Sequence, residues 1–130
     1  MGFLKNIVGS SAGTTSLLKL NWNHLTDLGQ LNEIVSLSEQ KPVLIFKHST
    51  KCIVSKMALK LFENEFDLEN EVAIYYLDLL EYRSISNEIA SRFTTEHQSP
   101  QILLIKNGVV TLKASHSDID ATQLRNEIYG

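Results

Sequence analysis

The sequence predicts one α/β domain built on a mixed five-stranded sheet with helices on both faces. Three observations carry that reading. Short runs rich in β-branched and aromatic residues (Val43–Lys47, Val72–Leu77, Gln101–Ile105) are separated by segments with helical spacing of apolar residues. Strands that alternate with helices in this way form parallel pairs joined by crossovers. The pair Asn107-Gly108 between two apolar runs is a strong hairpin signal, so antiparallel strands close one edge. The resulting order is β-α-β-α-β-α-β-β-α.

Residues 1–16 read as a flexible lead-in, because Gly9 to Ser16 are all small or polar, and the domain proper spans 17–130. Leu17 to Leu20 is a short strand ended by Asn21. Thr26 is placed to cap a helix running to about Glu39, with Leu28, Leu31, Ile34 and Val35 on one face. Pro42 stops that helix and introduces the strand Val43–Lys47. The next helix begins at Cys52 and runs to Phe62 or a little beyond. Its apolar stripe is Ile53, Val54, Met57, Ala58, Leu61 and Phe62, predicted to be buried. Val72–Leu77 is the third strand. Ile85, Ile89 and Phe93 mark a helix over about Ser84–Thr94, and Pro100 precedes the fourth strand, Gln101–Ile105. Val109–Lys113 completes the hairpin, and Asp118 is placed to cap a last helix carrying Ile119, Leu124 and Ile128.

The chain has 130 residues, 43% hydrophobic and 21% charged, a composition ordinary for a globular domain. Its net charge of −3 gives no footprint for nucleic acid. No stretch approaches the roughly 18 consecutive apolar residues of a membrane helix, and Lys5 and Asn6 break the N-terminal apolar residues below signal-peptide length. The acidic run Glu63, Glu65, Asp67, Glu69 and Glu71 reads as a solvated helix end and loop. One cysteine cannot form an internal disulfide, and a reducing, cytoplasmic setting follows. One cysteine and four scattered histidines lack the spacing of a metal site, so no metal is expected.

That cysteine, Cys52, carries the functional reading. It follows a buried strand and opens a helix, where orphan backbone N–H groups and the helix dipole favour an anion. Lys47, Lys51, Lys56 and Lys60 surround it, with no acid from Cys52 until Glu63. The thiolate is the nucleophilic form of cysteine, so both features favour reactivity. Ser55 lies one helical turn on, where its hydroxyl or N–H reaches towards the sulfur. Lys47, His48 and Lys51, with Thr50 between them, are placed to hold the thiolate or an anionic ligand.

A cysteine opening a helix after the second strand, Ser99-Pro100 leading the fourth strand, and Lys106-Asn107-Gly108 at the hairpin together resemble the thioredoxin fold over roughly residues 17–128. The redox motif Cys-x-x-Cys of that fold stands here as Cys52-Ile53-Val54-Ser55. The buried acid six positions before the first cysteine is replaced by Phe46. Both losses remove the resolving half of a dithiol mechanism. More closely, the chain resembles the YtxJ-type monothiol bacilliredoxins, proteins of the bacillithiol system. The matching segments are Phe46-Lys47-His48-Ser49-Thr50, Arg83 with Ser86-Asn87-Glu88-Ile89-Ala90, and His97 through Gly108. Ile53 occupies the position where that family usually has proline.

The resemblance implies a monothiol disulfide oxidoreductase. Cys52 would take a small thiol, bacillithiol by family, from a protein mixed disulfide, and a second small thiol would release it. Cys52 and Ser55 would be the catalytic positions. Lys47, His48, Thr50, Lys51, Ser99 and Pro100 would bind substrate, with a cis Ser99–Pro100 bond exposing the backbone of Ser99 to an extended partner. No cofactor is expected beyond the small thiol as co-substrate. The expected partners are bacillithiolated proteins and that thiol, with no nucleic acid or membrane, for a monomer or weak dimer. The competing reading is a thioredoxin-fold binding module without turnover.

Overall fold

The computed structural model describes residues 18–129. In chain order the elements are β1 (Asn23–His24), α1 (Gly29–Leu37), β2 (Val43–His48), α2 (Ile53–Glu65), β3 (Ala73–Asp78), α3 (Arg83–Arg92), β4 (Gln101–Lys106), β5 (Val109–Ser115), a short 3₁₀ turn (His116–Asp118) and α4 (Ala121–Tyr129). The sheet order is β1-β3-β2-β4-β5. β1 and β2 run parallel to β3, while β4 is antiparallel to both β2 and β5. Asn107 and Gly108 both take positive φ, 53° and 79°, at the two-residue turn between β4 and β5. That is the backbone a tight right-twisted hairpin requires, and the reason this pair is a strong signal.

Central strands are flanked on both faces, so their side chains divide by alternation into two cores. Val43 and Ile45 of β2 join Leu31, Ile34, Ile85 and Ile89 beneath α1 and α3. Leu44 and Phe46 join Trp22, Phe62, Phe66, Tyr76 and Leu124 beneath α2 and α4. In this second core Phe46 meets Trp22 edge-on with ring centroids 6.0 Å apart, and Phe62 at 5.7 Å. Phe46 therefore fills with an aromatic ring the place where a redox-active dithiol protein would keep an acid.

Several boundaries differ from expectation for identifiable reasons. Of the expected strand Leu17–Leu20, Leu17 lies outside the described residues and 18–20 are irregular. The edge strand forms instead at Asn23–His24, the stretch that lies in register with Tyr75 and Tyr76. Thr26 does not cap α1. The Gln30 side chain reaches back to the N–H groups of Thr26 (2.7 Å) and Asp27 (2.9 Å), and the helix starts two residues later than Asp27. At α4 the cap is Asp120, whose carboxylate accepts the Thr122 N–H at 2.9 Å, while Asp118 belongs to the 3₁₀ turn.

The largest correction concerns α2. Ile53, Val54, Met57 and Leu61 of the expected buried stripe face solvent, Ile53 at 71% and Met57 at 66% exposure. The buried face is Ser55, Leu59, Phe62 and Glu63. Two polar anchors turn the helix this way: Ser55 at its start, described below, and Glu63 near its end. Glu63 is buried rather than solvated. One of its oxygens, Oε2, accepts the backbone N–H groups of Lys19 (3.0 Å) and Leu20 (3.1 Å) and the indole N–H of Trp22 (2.7 Å). The neighbouring Glu69 accepts the Asn21 N–H, and Asp67 pairs with Arg125. Glu63 and Glu69 thus fasten the incoming chain to the body of the domain, while Glu65, Asp67, Glu69 and Glu71 are solvent-exposed as expected of such a run.

Glu63→Ala should destabilise the protein by roughly 2–3 kcal/mol, because it leaves the buried Trp22 indole N–H and two partly buried backbone donors without their acceptor. Glu63→Gln, which keeps an acceptor, should cost clearly less. Urea unfolding followed by the fluorescence of Trp22, the sole tryptophan, measures both. Equal stabilities for the two variants would show that the carboxylate position does not anchor residues 19–22.

Candidate active site

The carboxyl end of β2 turns into α2 through Ser49-Thr50-Lys51-Cys52. Cys52 occupies the N-cap position with extended backbone (φ −109°, ψ 123°), and its carbonyl accepts the first intrahelical bond from Lys56 at 3.0 Å. The thiol is half-buried. It therefore stands at the end of a 13-residue helix whose first-turn N–H groups have no intrahelical acceptor. Lys51 and Lys56 are exposed on either side of it. Thr50 is half-buried and borders a cleft of about 690 Å³ together with His48, Lys56, Lys60 and Tyr76.

Ser55 is fully buried and its hydroxyl is already engaged. The oxygen accepts the Ser49 N–H at 3.0 Å and lies 2.7 Å from His48 Nδ1. Burial pushes the His48 imidazole down to about 4, against a smaller opposing effect of Asp78. The ring is therefore neutral near pH 7, and its Nδ1 shares one hydrogen bond with the Ser55 hydroxyl. This three-membered arrangement ties the end of β2 to the first turn of α2 and sets the turn that carries Cys52. The Cys52 N–H bonding to the Ser49 carbonyl (3.3 Å) and the Leu79 N–H bonding to the His48 carbonyl (3.0 Å) complete it. The expectation that the Ser55 hydroxyl reaches the sulfur gives way to this role: it shapes the turn under the thiol.

Lys47 and His48, expected to hold the thiolate or an anionic ligand, are likewise interior residues engaged with other parts of the protein. Alternation places Lys47 on the face of Val43 and Ile45, and His48 on the face of Leu44 and Phe46. Lys47 is 0% exposed, and burial lowers its ammonium to about 8. Its Nζ donates to the Ser86 carbonyl at 3.1 Å and lies 3.3 Å from His97 Nδ1. His97 Nδ1 is also 3.2 Å from Ser86 Oγ.

Opposite this turn, the Ser99–Pro100 bond is cis and leads directly into β4. Gln101 is the register partner of Lys47, so the loop before β4 and the turn after β2 share one end of the sheet. The buried Gln101 side chain straps the loop from below: its amide donates to the Glu96 carbonyl (3.1 Å) and its oxygen accepts the Gln98 N–H (3.3 Å). Ser99 Oγ is buried and has no hydrogen-bond partner among the described residues. The structure thus brings Cys52, Thr50, Lys51, Ser99 and Pro100 to one end of the sheet and sends Lys47 and His48 beneath it. Among the described residues no three His, Cys, Asp or Glu side chains converge as metal ligands, and no helix is long and apolar enough to cross a membrane.

The residues that the sequence reading left without a role are His97, Ser86 and Gln101. The one available signal was the two-residue period of β2, which already puts Lys47 on a buried face.

Residues 23–124 match the family model described as monothiol bacilliredoxin BrxC. Among solved structures, a candidate oxidoreductase with a thioredoxin fold is 31% identical, with 79% of this chain and 89% of that chain covered and a TM-score of 0.68. The thioredoxin of Malassezia sympodialis is 21% identical over 83% of this chain and 88% of its own, with a TM-score of 0.64. Mitochondrial thioredoxin 3 of Saccharomyces cerevisiae is 22% identical over 82% and 92%, with a TM-score of 0.60. The last two likenesses establish the fold alone.

Two outcomes are expected from the Ser55–His48 arrangement. Ser55→Ala should lower stability by roughly 1–3 kcal/mol, because it leaves the buried Ser49 N–H without an acceptor. An unchanged urea midpoint would show that the hydroxyl does not hold the turn. The lowered His48 value also makes stability depend on pH. Folding keeps the ring neutral, so its contribution is complete above the ordinary value near 6.5 and is lost as pH falls towards about 4. The loss should be on the order of 2 kcal/mol after allowance for solvent screening. It is read as the extra acid sensitivity of wild type over His48→Asn, and identical pH profiles would refute it.

Proposed function

The chain belongs to the monothiol bacilliredoxin family, and from that premise we propose that it removes a low-molecular-weight thiol, bacillithiol or a close chemical relative, from protein mixed disulfides through Cys52. Family and fold support a thiol redox function. The observation that carries the finer reading is the placement of a half-buried Cys52 at the N-cap of α2, in a chain with no second thiol.

The chemistry follows from that count. The Cys52 thiolate attacks the sulfur of the small thiol in the mixed disulfide. The S–S bond to the client breaks, the client sulfur leaves as thiolate and takes a proton from water, and a new S–S bond joins Cys52 to the small thiol. A serine at position 55 cannot attack this adduct. A second molecule of the small thiol therefore does so, leaving as the symmetrical small disulfide and regenerating the Cys52 thiolate. The sum converts the mixed disulfide and one free small thiol into the client thiol and the symmetrical small disulfide, so one S–S bond is lost and one is gained, and no further oxidant or reductant is required. The exposed Lys51 and Lys56 provide positive charge at the mouth of the site, which favours attack by and on anionic thiols. The half-buried Ser99 and the loop leading to β4 offer backbone polar groups to an extended client segment on the other side.

Cys52→Ser should retain the fold and lose all exchange, because serine is near cysteine in size and a good N-cap residue. The test is a single turnover with a client peptide carrying a bacillithiol adduct, followed by intact mass. Wild type should gain the mass of the small thiol on Cys52 and release the free peptide. Release of the peptide by Cys52→Ser would overturn the mechanism, and a wild type that never acquires the adduct would favour a binding role without turnover.

A further inference from the structure

Lys47 is a fully buried ammonium, and among the described residues the two ion pairs, Arg92–Glu88 and Arg125–Asp67, do not involve it. A buried cation without a carboxylate is costly unless its donors are satisfied. Its visible partners are the Ser86 carbonyl and His97 Nδ1. The second contact has a chemical consequence. An ammonium only donates, so Nδ1 must present its lone pair, and the ring proton is confined to Nε2. The Ser86 hydroxyl, 3.2 Å from the same nitrogen, acts in the same sense when it donates. Because Nδ1 faces this buried pair while the residue as a whole is exposed, the ring presents its Nε2–H edge to solvent.

The location gives that edge a purpose. His97 lies two residues before Ser99, in the loop that Gln101 straps at Glu96 and Gln98. Arg83, at the start of α3 and exposed, acts electrostatically on the same ring, as does Lys47 from β2. His97, the exposed Arg83 and the buried Lys47 thus gather positive charge at the loop that leads to Ser99–Pro100.

We propose that His97, with its Nε2–H orientation fixed by the positioning residue Lys47, recognises a carboxylate of the small thiol carried by the mixed disulfide. The inference rests on the preceding reading and narrows its substrate to thiols bearing carboxylates.

The experiment compares two adducts of one cysteine peptide, with carboxylate-bearing glutathione and with neutral 2-mercaptoethanol, and measures kcat/KM for transfer to Cys52. Wild type should prefer the glutathione adduct. His97→Phe should reduce the ratio of the two by about tenfold, the scale of one hydrogen bond to a charged group, mainly through KM. Lys47→Met should reduce the ratio as well, and the imidazole ¹⁵N spectrum should show His97 losing its single Nε2–H tautomer. Equal losses with both adducts, or an unchanged ratio, would overturn the proposal. So would a wild-type spectrum with the proton on Nδ1, which decides the matter even where a variant fails to fold. Transfer of both adducts without preference leaves the monothiol reading standing and removes this one. Transfer of neither removes the monothiol reading itself.

Discussion

Strand β2 is enclosed on every side. It pairs with β3 on one edge and β4 on the other, lies under helices on both faces, and has all six residues buried. Four of those residues are apolar and satisfy the constraint by packing. The last two, Lys47 and His48, are polar, and their buried Nζ and Nδ1 atoms point into the protein. Each must find protein partners, and the two searches run in opposite directions because successive side chains point to opposite faces. Lys47 finds the Ser86 carbonyl and His97 beneath α3, and His48 finds Ser55 at the start of α2. The polar end of one buried strand thereby organises both loops that border the thiol.

This arrangement explains why α2 turns a hydrophobic face to solvent. A helix whose first turn must deliver Ser55 to His48 and Ser49, and whose last turn must deliver Glu63 to Trp22 and the chain before it, has no rotational freedom left. Ile53, Val54 and Met57 are the residues displaced outward, and they lie within a turn and a half of Cys52. The exposed apolar area is thus a by-product of two buried hydrogen-bond anchors, and it begins at the helix end that carries Cys52.

Phe46 makes a related point about chemistry. In a dithiol protein an acid here would help deprotonate a second thiol. In this chain the second thiol is absent, Ser55 is committed to structure, and Phe46 packs against Trp22 and Phe62 in the core. The single cysteine and the aromatic ring at position 46 are consistent with each other, since without a second thiol an acid buried there would have nothing to deprotonate.

The sequence by itself determined the element order, the hairpin at Asn107-Gly108, the position of Cys52 at a helix start and the family, because these depend on local period, turn chemistry and motif spacing. Helix ends were less legible at Thr26 and Asp118, where a side chain a few residues away, Gln30 or Asp120, supplies the bond that sets the boundary. Tertiary structure alone decided which face of α2 is buried, since a helix with apolar residues on much of its circumference has no unique stripe and distant polar partners chose its rotation. It also decided that Glu63 is an anchor and not part of a solvated run, because its three donors lie more than forty residues away in sequence. The same holds for Lys47: its charge is plain in the sequence, but its partners, 39 and 50 residues further on, meet it only when α3 and the following loop close over the sheet.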